Sequence, residues 1–389
     1  MDFQLTDEQR ELQDTARKFA RAELPALARD MEAKDYPVPH DMLRAFGEMG
    51  FLGVNLPAEY GGLGLGHLEA LIVLEEFARI SNAVAFPVFE ALAGPVRTIE
   101  RFGSPEMKAR ILPEVIKGEK VVAVSMSEPD AGTALTDLKT RAVLDGNHYV
   151  VNGYKRWTSG GGHSDYYVTY CRFNDDEGAR GIGAILLEKE LPGMQFGKRE
   201  ELMGFRGIAT ADYAIEDVRV PAGNVIIGAG GFGKLMSAFG LERCGNATQS
   251  LGVAAAALEA ATQYVQEREA FGKPIIEFQA VQLKIAEMAM KVEAARLLIH
   301  RAAANAANQP DGLPTVFESS VAKCFANEIV REVTAMGMQV MGGYGYHKDY
   351  GMEQRLRDAY AWGIAGGSID VQKTNIAAAL IGRRFDQRR

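Results

Sequence analysis

The sequence contains little cysteine, no excess of basic residues and no long apolar run. Its three cysteines, Cys171, Cys244 and Cys324, are widely spaced without a CxxC pair, so they fit a reducing compartment and supply no disulfide framework. The 43 Lys and Arg against 51 Asp and Glu give a formal charge of −8, which disfavours binding to a nucleic-acid backbone. Apolar runs are too short to cross a membrane, and the histidines lack metal-ligand spacing. These absences predict a cytoplasmic enzyme without nucleic-acid, membrane or metal partners.

The pattern of the chain changes twice along its 389 residues, which are enough for two or three domains. Residues 1 to about 115 have helical patterns, and they begin with a polar helix rather than a signal peptide, with a capping box from Thr6 to Gln9. Five β-rich runs follow without intervening helices, at 121–126, 149–151, 166–173, 182–187 and 211–220. This spacing predicts an antiparallel sheet or barrel. From Lys234 the pattern is helical again, so we expect an α+β fold that ends in a helical bundle.

One glycine motif suggests a different fold. Residues 228–233 match GxGxxG after a strand-like run, which taken alone indicates a dinucleotide-binding Rossmann unit. Such a unit needs a second parallel strand after its helix, and the sequence from Leu251 onward is helical instead. We therefore interpret these glycines as a flexible connection between the β-rich and the helical parts, and an NAD-dependent enzyme is the weakest hypothesis.

The segment from Arg357 to Gln372 resembles the signature of the acyl-CoA dehydrogenase family. In many members a glutamate at the position of Gly366 removes the α-proton of the thioester substrate, and glycine cannot do this. The isovaleryl and long-chain branches of the family carry the base where this sequence has Glu242. The resemblance therefore implies Glu242 as the catalytic base, with a pKa raised by burial. Without the resemblance, Glu242 and Arg243 would be interpreted as a solvated charged pair on a helix.

Further segments resemble the FAD contacts of that family. In the segment around Trp157, the indole would pack beside the isoalloxazine and the hydroxyl of Ser159 would bond to N5; the alternative for Trp157 is a core aromatic. In the segment around Phe271, the fork of Arg268 suits phosphate oxygens. The residues implied to contact FAD are Met126, Ser127, Gly132, Thr133, Trp157, Ser159, Arg268, Phe271, Gln279, Gln339, Gly342, Gly343, Ser368 and Asp370.

The resemblance also implies substrate contacts. The backbone N–H of Gly366 would stabilise the thioester oxygen, Arg243 would lie near the CoA moiety, and Thr133 would also contact substrate. Several positions depart from the family pattern, among them Ser368 and the shorter Asp370, where the family usually has Thr and a Gln or Glu. Ala134 replaces a usual aspartate, and Ala365 replaces a bulkier residue, which permits a branched, cyclic or longer acyl group without selecting one.

The fold implied by the resemblance has an N-terminal helical domain (1–117), a middle antiparallel β-barrel domain (118–226) and a C-terminal four-helix bundle (227–389). The implied activity is FAD-dependent α,β-dehydrogenation of an acyl-CoA, with electrons passed to an electron-transfer flavoprotein. The implied assembly is a homotetramer, a dimer of dimers in which Arg268 and Gln339 contact FAD across subunits. Two alternatives remain open. One is a relative with different chemistry (enoyl-CoA reduction, desulfination or an oxygen-dependent reaction), and the other is a non-catalytic subunit.

Overall fold

Six helices form the N-terminal part of the protein. The computed structural model describes residues 4–383 and 385, so residues 1–3, on which the expectation of no signal peptide rests, lie outside the described part. The helices are α1 (Asp7–Lys34), α2 (His40–Glu48), α3 (His67–Ala78), α4 (Asn82–Leu92), α5 (Val96–Phe102) and α6 (Pro105–Ile116). The predicted capping box is confirmed, since the Thr6 side chain accepts a hydrogen bond from the Gln9 backbone N–H and the Gln9 side chain bonds back to the Thr6 N–H.

The middle of the chain is an eight-stranded sheet. Its strands are β1 (Val122–Ser125), β2 (Arg141–Asp145), β3 (His148–Ser159), β4 (Tyr166–Arg172), β5 (Ile182–Glu188), β6 (Met194–Arg199), β7 (Thr210–Pro221) and β8 (Val225–Ile227). The order is β6-β7-β3-β2-β4-β5-β8, and β1 pairs with β4. The expected barrel is not confirmed, because over the described residues the sheet is open between β6 and β8. Most pairings are antiparallel, but β1 and β2 each run parallel to β4.

Two strands that the sequence did not reveal complete this sheet. The strands β2 and β6 are largely exposed, so they lack the apolar run or strict alternation by which the other strands were identified. The strand β2 forms a hairpin with β3, and β6 pairs with β7. Their strand character is decided by tertiary pairing rather than by local sequence.

The C-terminal part is helical. Its helices are α7 (Phe232–Glu267), α8 (Gln279–Ala306), α9 (Val316–Met341), α10 (Gly343–Tyr346), α11 (Met352–Asp358) and α12 (Ile369–Ile381), and a short hairpin of β9 (Glu269–Ala270) and β10 (Lys273–Pro274) joins α7 to α8. Along α8, Met288, Val292, Ala295 and Ile299 are buried at alternating steps of four and three, so they form one apolar face. The glycines at 228–233 connect β8 to α7, so the structure agrees with rejecting a Rossmann unit.

Glycines bring α7 into close contact with the N-terminal helices. A Cβ on Gly245 would lie 2.7 Å from the Cβ of Ala93 on α4, and one on Gly252 would lie 2.5 Å from the Cβ of Ala78 on α3. Any side chain at these two positions would push the helices apart. This packing brings the buried face of α7 against α4, where the candidate site lies.

The three parts of the chain also meet at Arg357 and Asp358. The guanidinium of Arg357 bonds to Glu32 of α1 at 2.7 Å and to the carbonyl of Met203 at 3.0 Å. The buried carboxylate of Asp358 accepts a hydrogen bond from the Phe205 N–H at 2.7 Å. These contacts fix the start of the loop that carries Gly366 against both other parts of the structure.

Two expected absences concern the described part of the chain. Within residues 4–383 and 385, no helix is long and apolar enough to cross a membrane, and no group of three or more His, Cys, Asp or Glu is arranged to hold a metal ion. The three cysteines are free and buried.

Candidate active site

The site is built on the buried middle of α7. Glu242 and Asn246 are separated by four residues, so they share one face of this helix. Both are buried, with 8% of Glu242 and 0% of Asn246 exposed. The sequence alone would place a charged pair such as Glu242 and Arg243 in solvent, and the structure places it inside the protein. Burial of this pair supports the functional interpretation over the solvated one.

Burial makes Glu242 a weak acid. Loss of solvation raises its pKa from the usual 4.5 to about 8, and the positive charges of Arg243 and Lys323 oppose this rise. Arg243 is itself buried, and its Nε and Nη1 groups have no hydrogen-bond partner in the part of the chain that the structure describes. A carboxyl group with a pKa near 8 can take or give a proton close to neutral pH. The direction of the predicted pKa shift is thus confirmed.

The backbone at Gly366 disfavours a carboxylate on this loop. Gly366 has φ +62°, a conformation that strains residues with a side chain, and a Cβ at this position would lie 2.3 Å from the Nδ2 of Asn246. Gly367 follows with φ +84°, and Ser368 caps α12 by accepting a bond from the Val371 N–H. A side chain at 366 would have a strained backbone and would have to displace the amide of Asn246, so glycine suits this position, and Glu242 is the carboxyl group that α7 supplies near this loop.

A buried lysine holds the same loop in place. The Nζ of Lys323, on α9, donates to the carbonyls of Trp362 at 2.6 Å and Ala365 at 3.0 Å, and to the Asn327 side chain at 2.9 Å. Burial lowers the pKa of Lys323 to about 7, while the neighbouring Glu242 opposes this fall. Three oxygen acceptors match the three donors of an ammonium group, so we assign Lys323 as charged when Glu242 is ionised.

Two further polar residues lie close to Glu242, and sequence reasoning missed both. Glu90, on α4, is buried, and its pKa is raised well above the usual range first by burial and then by the charge of Glu242. Tyr170, on β4, is fully buried, and burial followed by Glu242 raises its pKa in the same way. The signal for Glu90 was a single carboxylate inside the apolar stretch 83–92. Tyr170 and Asn246 carried no sequence signal that we can identify.

Trp157 lies on a bulge in β3 and not in the core. The register of β3 against β7 shifts between Lys155 and Thr158, and Trp157 has φ +59° with 51% of its surface exposed. The carboxylate of Asp212 accepts a bond from the Trp157 N–H at 2.9 Å and holds Arg156 at 2.7 Å, whose guanidinium lies 4.2 Å from the centre of the indole ring. A strained, half-exposed tryptophan whose backbone is held by the carboxylate of another residue, here Asp212, is typical of a ligand-binding position.

The loop 126–133 is tied to β3 by a buried ion pair. Glu128 accepts hydrogen bonds from the Nζ of Lys155 at 2.8 Å and from the Thr140 hydroxyl at 2.5 Å. Loss of solvation lowers the pKa of Lys155, and the negative charge of Glu128 partly opposes this fall. Lys155 also bonds to the Met126 carbonyl, and the Arg156 N–H to the Ser127 carbonyl. Glu128 therefore fixes this loop beside the Trp157 bulge.

A second group of candidate residues lies at the far end of α7. Arg268 ends this helix and lines a cavity of about 650 Å³ together with Gly342 and Gly343. Phe271 is 95% exposed at the tip of the β9–β10 hairpin, where it and Gly272 both have positive φ. Since 26 residues of helix separate Glu242 from Arg268, at 1.5 Å per residue the two lie about 39 Å apart. One chain therefore does not bring the two groups together.

The other predicted residues occupy these same two regions. Thr133, Gly132, Gln279, Gln339 and Asp370 are exposed, whereas Met126, Ser127, Ser159 and Ser368 are half-buried. Gln279 begins α8 and Gln339 lies in the last turn of α9, both toward the Arg268 end, while Asp370 is in the first turn of α12 behind Gly366. Gln279, Gln339, Gly342 and Gly343 thus belong with Arg268 at the far end of α7, whereas the other predicted residues lie on the loop 126–133, on β3 at the Trp157 bulge, and on the segments that carry Glu242 and Gly366.

Known proteins match this chain over its whole described length. Three family models match in succession, described as the acyl-CoA dehydrogenase N-terminal domain (6–119), middle domain (123–218) and C-terminal domain (229–381). The acryloyl-CoA reductase (NADH) of Anaerotignum propionicum is 38% identical over 386 residues, covering 98% of this chain and 97% of that protein. The structure of butyryl-CoA dehydrogenase from Megasphaera elsdenii is 32% identical with a TM-score of 0.93, covering 98% of this chain and 100% of that one. A chain from the structure of the electron transferring flavoprotein of Acidaminococcus fermentans is 36% identical with a TM-score of 0.94 and the same coverage.

Proposed function

The chain belongs to the acyl-CoA dehydrogenase family of FAD-binding oxidoreductases that act on CH–CH groups, and from this membership we propose that it oxidises an acyl-CoA thioester to the trans-2-enoyl-CoA with Glu242 as the base. The observation that carries the proposal is the pair formed by Glu242 and Gly366. Glu242 is buried with a pKa of about 8, and position 366 is a glycine whose positive φ and closeness to Asn246 disfavour a carboxylate on the loop.

The residues of this chain fit an isoalloxazine beside Glu242. When bound, FAD supplies a hydride acceptor for the β-hydrogen of the substrate. Trp157 presents a half-exposed indole on a rigid bulge, and the loop 126–133 is held next to it by Glu128. Ser159 is the residue we propose to donate to N5. Gly366 has no side chain that could cover its backbone N–H. We propose that this N–H donates a hydrogen bond to the thioester oxygen.

The distance along α7 supports sharing of FAD contacts between subunits. Because Arg268 lies about 39 Å from Glu242 on one rigid helix, we propose that it contacts the FAD of a neighbouring subunit, together with Phe271, Gln279, Gln339, Gly342 and Gly343. An outward row on α8 agrees with an association of copies, since Leu283, Met290 and Leu297 recur every seven residues and are exposed. We therefore propose a homotetramer, a dimer of dimers.

The remaining predictions stay proposals. We propose that Arg243 and Thr133 contact the substrate, that Ser368 and Asp370 lie near FAD, and that an electron-transfer flavoprotein accepts the electrons. The relative from the structure of the electron transferring flavoprotein of Acidaminococcus fermentans supports this last point. The domain limits 1–117, 118–226 and 227–389, a four-helix bundle, a role in fatty acid metabolism and a cytoplasmic location are also predictions from the sequence.

A second candidate is the reverse reaction, reduction of an enoyl-CoA. The pKa of about 8 keeps Glu242 mostly protonated at pH 7, so it is as well prepared to deliver a proton to Cα as to remove one. The 38% identity with an acryloyl-CoA reductase agrees with this direction. Reoxidation of the reduced flavin by an enoyl-CoA, faster than reduction by the matching acyl-CoA, would favour this candidate.

The test is anaerobic bleaching of the flavin absorbance by a panel of acyl-CoA thioesters. We expect one thioester class to bleach the wild type rapidly, and Glu242→Gln to bind the same thioester with bleaching slowed by about 10³-fold or more, since a proton-transfer group contributes about 10²–10⁴. Glu287→Gln, at an exposed position on α8, is the matched control and should bleach as the wild type does. Equal bleaching in Glu242→Gln and wild type would refute the base assignment. A yellow protein that no thioester bleaches would favour the non-catalytic subunit or a different chemistry.

A further inference from the structure

The candidate site contains a buried side-chain amide, beside Gly366, that makes no hydrogen bond to any described residue. Asn246 is fully buried, and neither its Nδ2 nor its Oδ1 has a hydrogen-bond partner among residues 4–383 and 385. Its Nδ2 occupies the space beside Gly366 that a side chain at 366 would need. A buried amide without partners is rare in folded proteins, because each unpaired group is costly to desolvate. The position of Asn246, one turn after Glu242 on the same helix face, places it at the reacting end of the acyl group.

A second unpaired group lies near Glu242, on the strand β4. Tyr170 is fully buried, and its hydroxyl has no hydrogen-bond partner in the described structure. The charge of Glu242 contributes to raising the pKa of this hydroxyl, so the two groups are close to each other. The other buried tyrosine on this face of β4 behaves differently, since the hydroxyl of Tyr166 bonds to Glu114 at 2.7 Å. The missing partner is therefore particular to Tyr170 and not general to the strand.

We propose that Asn246 and Tyr170 form a polar subsite for the acyl group, so that the substrate is a short acyl thioester carrying an uncharged hydrogen-bonding substituent, such as a hydroxyl. This inference rests on the proposed function for the identity of the pocket. A plain alkyl chain would leave the amide and the hydroxyl unpaired, whereas a substituent that both donates and accepts would satisfy them. An anionic substituent is disfavoured, because the site must also hold Glu242 in its ionised form.

The test compares isosteric acyl groups in binding rather than in turnover. Calorimetric titration of the FAD-loaded Glu242→Gln protein, in which the proposed base is removed, uses butanoyl-CoA and 3-hydroxypropanoyl-CoA, which differ by one methyl against one hydroxyl. We expect the hydroxyl analogue to bind about tenfold more tightly, the effect of one net hydrogen bond. Tyr170→Phe and Asn246→Leu should each abolish this preference. Tyr166→Phe and Thr248→Val, whose hydroxyls bond elsewhere, should keep it.

Several outcomes would overturn the proposal. It is wrong if butanoyl-CoA binds as tightly as the hydroxyl analogue, or if both subsite variants keep the preference. Tighter binding of succinyl-CoA than of either would assign the free N–H groups of Arg243 to an anionic substrate instead. Tyr170→Phe removes a single oxygen atom, so the test stands even if Asn246→Leu does not fold. Flavin bleaching by plain alkyl thioesters with no hydroxyl preference would leave the proposed function intact and refute only the subsite. A hydroxyl preference without bleaching by any thioester would do the reverse.

Discussion

The direction of the reaction should be visible in its dependence on pH. With a pKa of about 8, Glu242 is ionised in about 9% of molecules at pH 7 and about 91% at pH 9, so a step that needs the carboxylate should accelerate about tenfold over this range. A step that needs the protonated acid should slow by the same factor. Flavin reduction by an acyl-CoA should therefore rise through pH 8, and flavin reoxidation by an enoyl-CoA should fall.

The assay is anaerobic stopped-flow measurement of both half-reactions between pH 6 and 9.5, at subsaturating thioester so that the free protein is observed. Lys323→Met gives a second check. Because the charge of Lys323 lowers the pKa of Glu242, its loss should move both inflections to higher pH, whereas Lys291→Met on the surface of α8 should leave them in place. Rates that are flat across this range, as an exposed glutamate with its usual pKa near 4.5 would give, would refute the assignment of Glu242 as a buried base.

Three further outcomes follow from the same geometry. In the Glu242→Gln background, Gly366→Glu alone should restore no flavin bleaching. Adding Asn246→Gly should restore some bleaching, because it removes the atom that would lie 2.3 Å from a Cβ at 366. Full rescue by Gly366→Glu alone would contradict the inference that this position disfavours a carboxylate. Asp212→Ala should lower the flavin content of the purified protein several-fold, since Trp157 loses its anchor; an unchanged absorbance ratio would show that the bulge is not part of the FAD site. The folded-state pKa of Glu242 lies above its usual 4.5, so its contribution to stability is lost as pH rises from 4.5 through 8, by at most about 5 kcal/mol. Glu242→Gln should therefore raise the melting temperature at pH 9 more than at pH 5, and equal shifts at both would be inconsistent with burial.

Part of the site could be predicted from the sequence and part could not. Glu242 was identified because a glycine stands where many relatives of the family have their base, and Trp157 because its segment resembles a flavin-binding strand. The bulge that exposes Trp157 depends on Asp212, which is 55 residues away in sequence. Glu90 comes from α4, which packs closely against α7 at Gly245, and Tyr170 comes from β4, so segments far apart in sequence surround Glu242. No local pattern encodes such distances.

The open sheet shows the same division between local pattern and tertiary pairing. The sequence correctly indicated a β-rich middle between two helical parts, but closure into a barrel depends on whether the first and last strands meet. In the described structure β6 and β8 form its two ends. Exposed strands such as β2 and β6 have too little apolar alternation to be recognised alone, and pairing with β3 and β7 decides their conformation.

The sequence by itself determined the family, the succession of a helical, a β-rich and a second helical part, and the absence of a carboxylate at 366, because motifs, periodicity and residue identity are local properties of the chain. Tertiary structure alone decided that Glu242 is buried with a pKa near 8, that Asn246 occupies the space of the missing side chain, and that Arg268 lies a full helix length from the base. The physical reason is that solvation and charge at a site depend on groups from several distant segments. Such groups become neighbours only when the chain has folded.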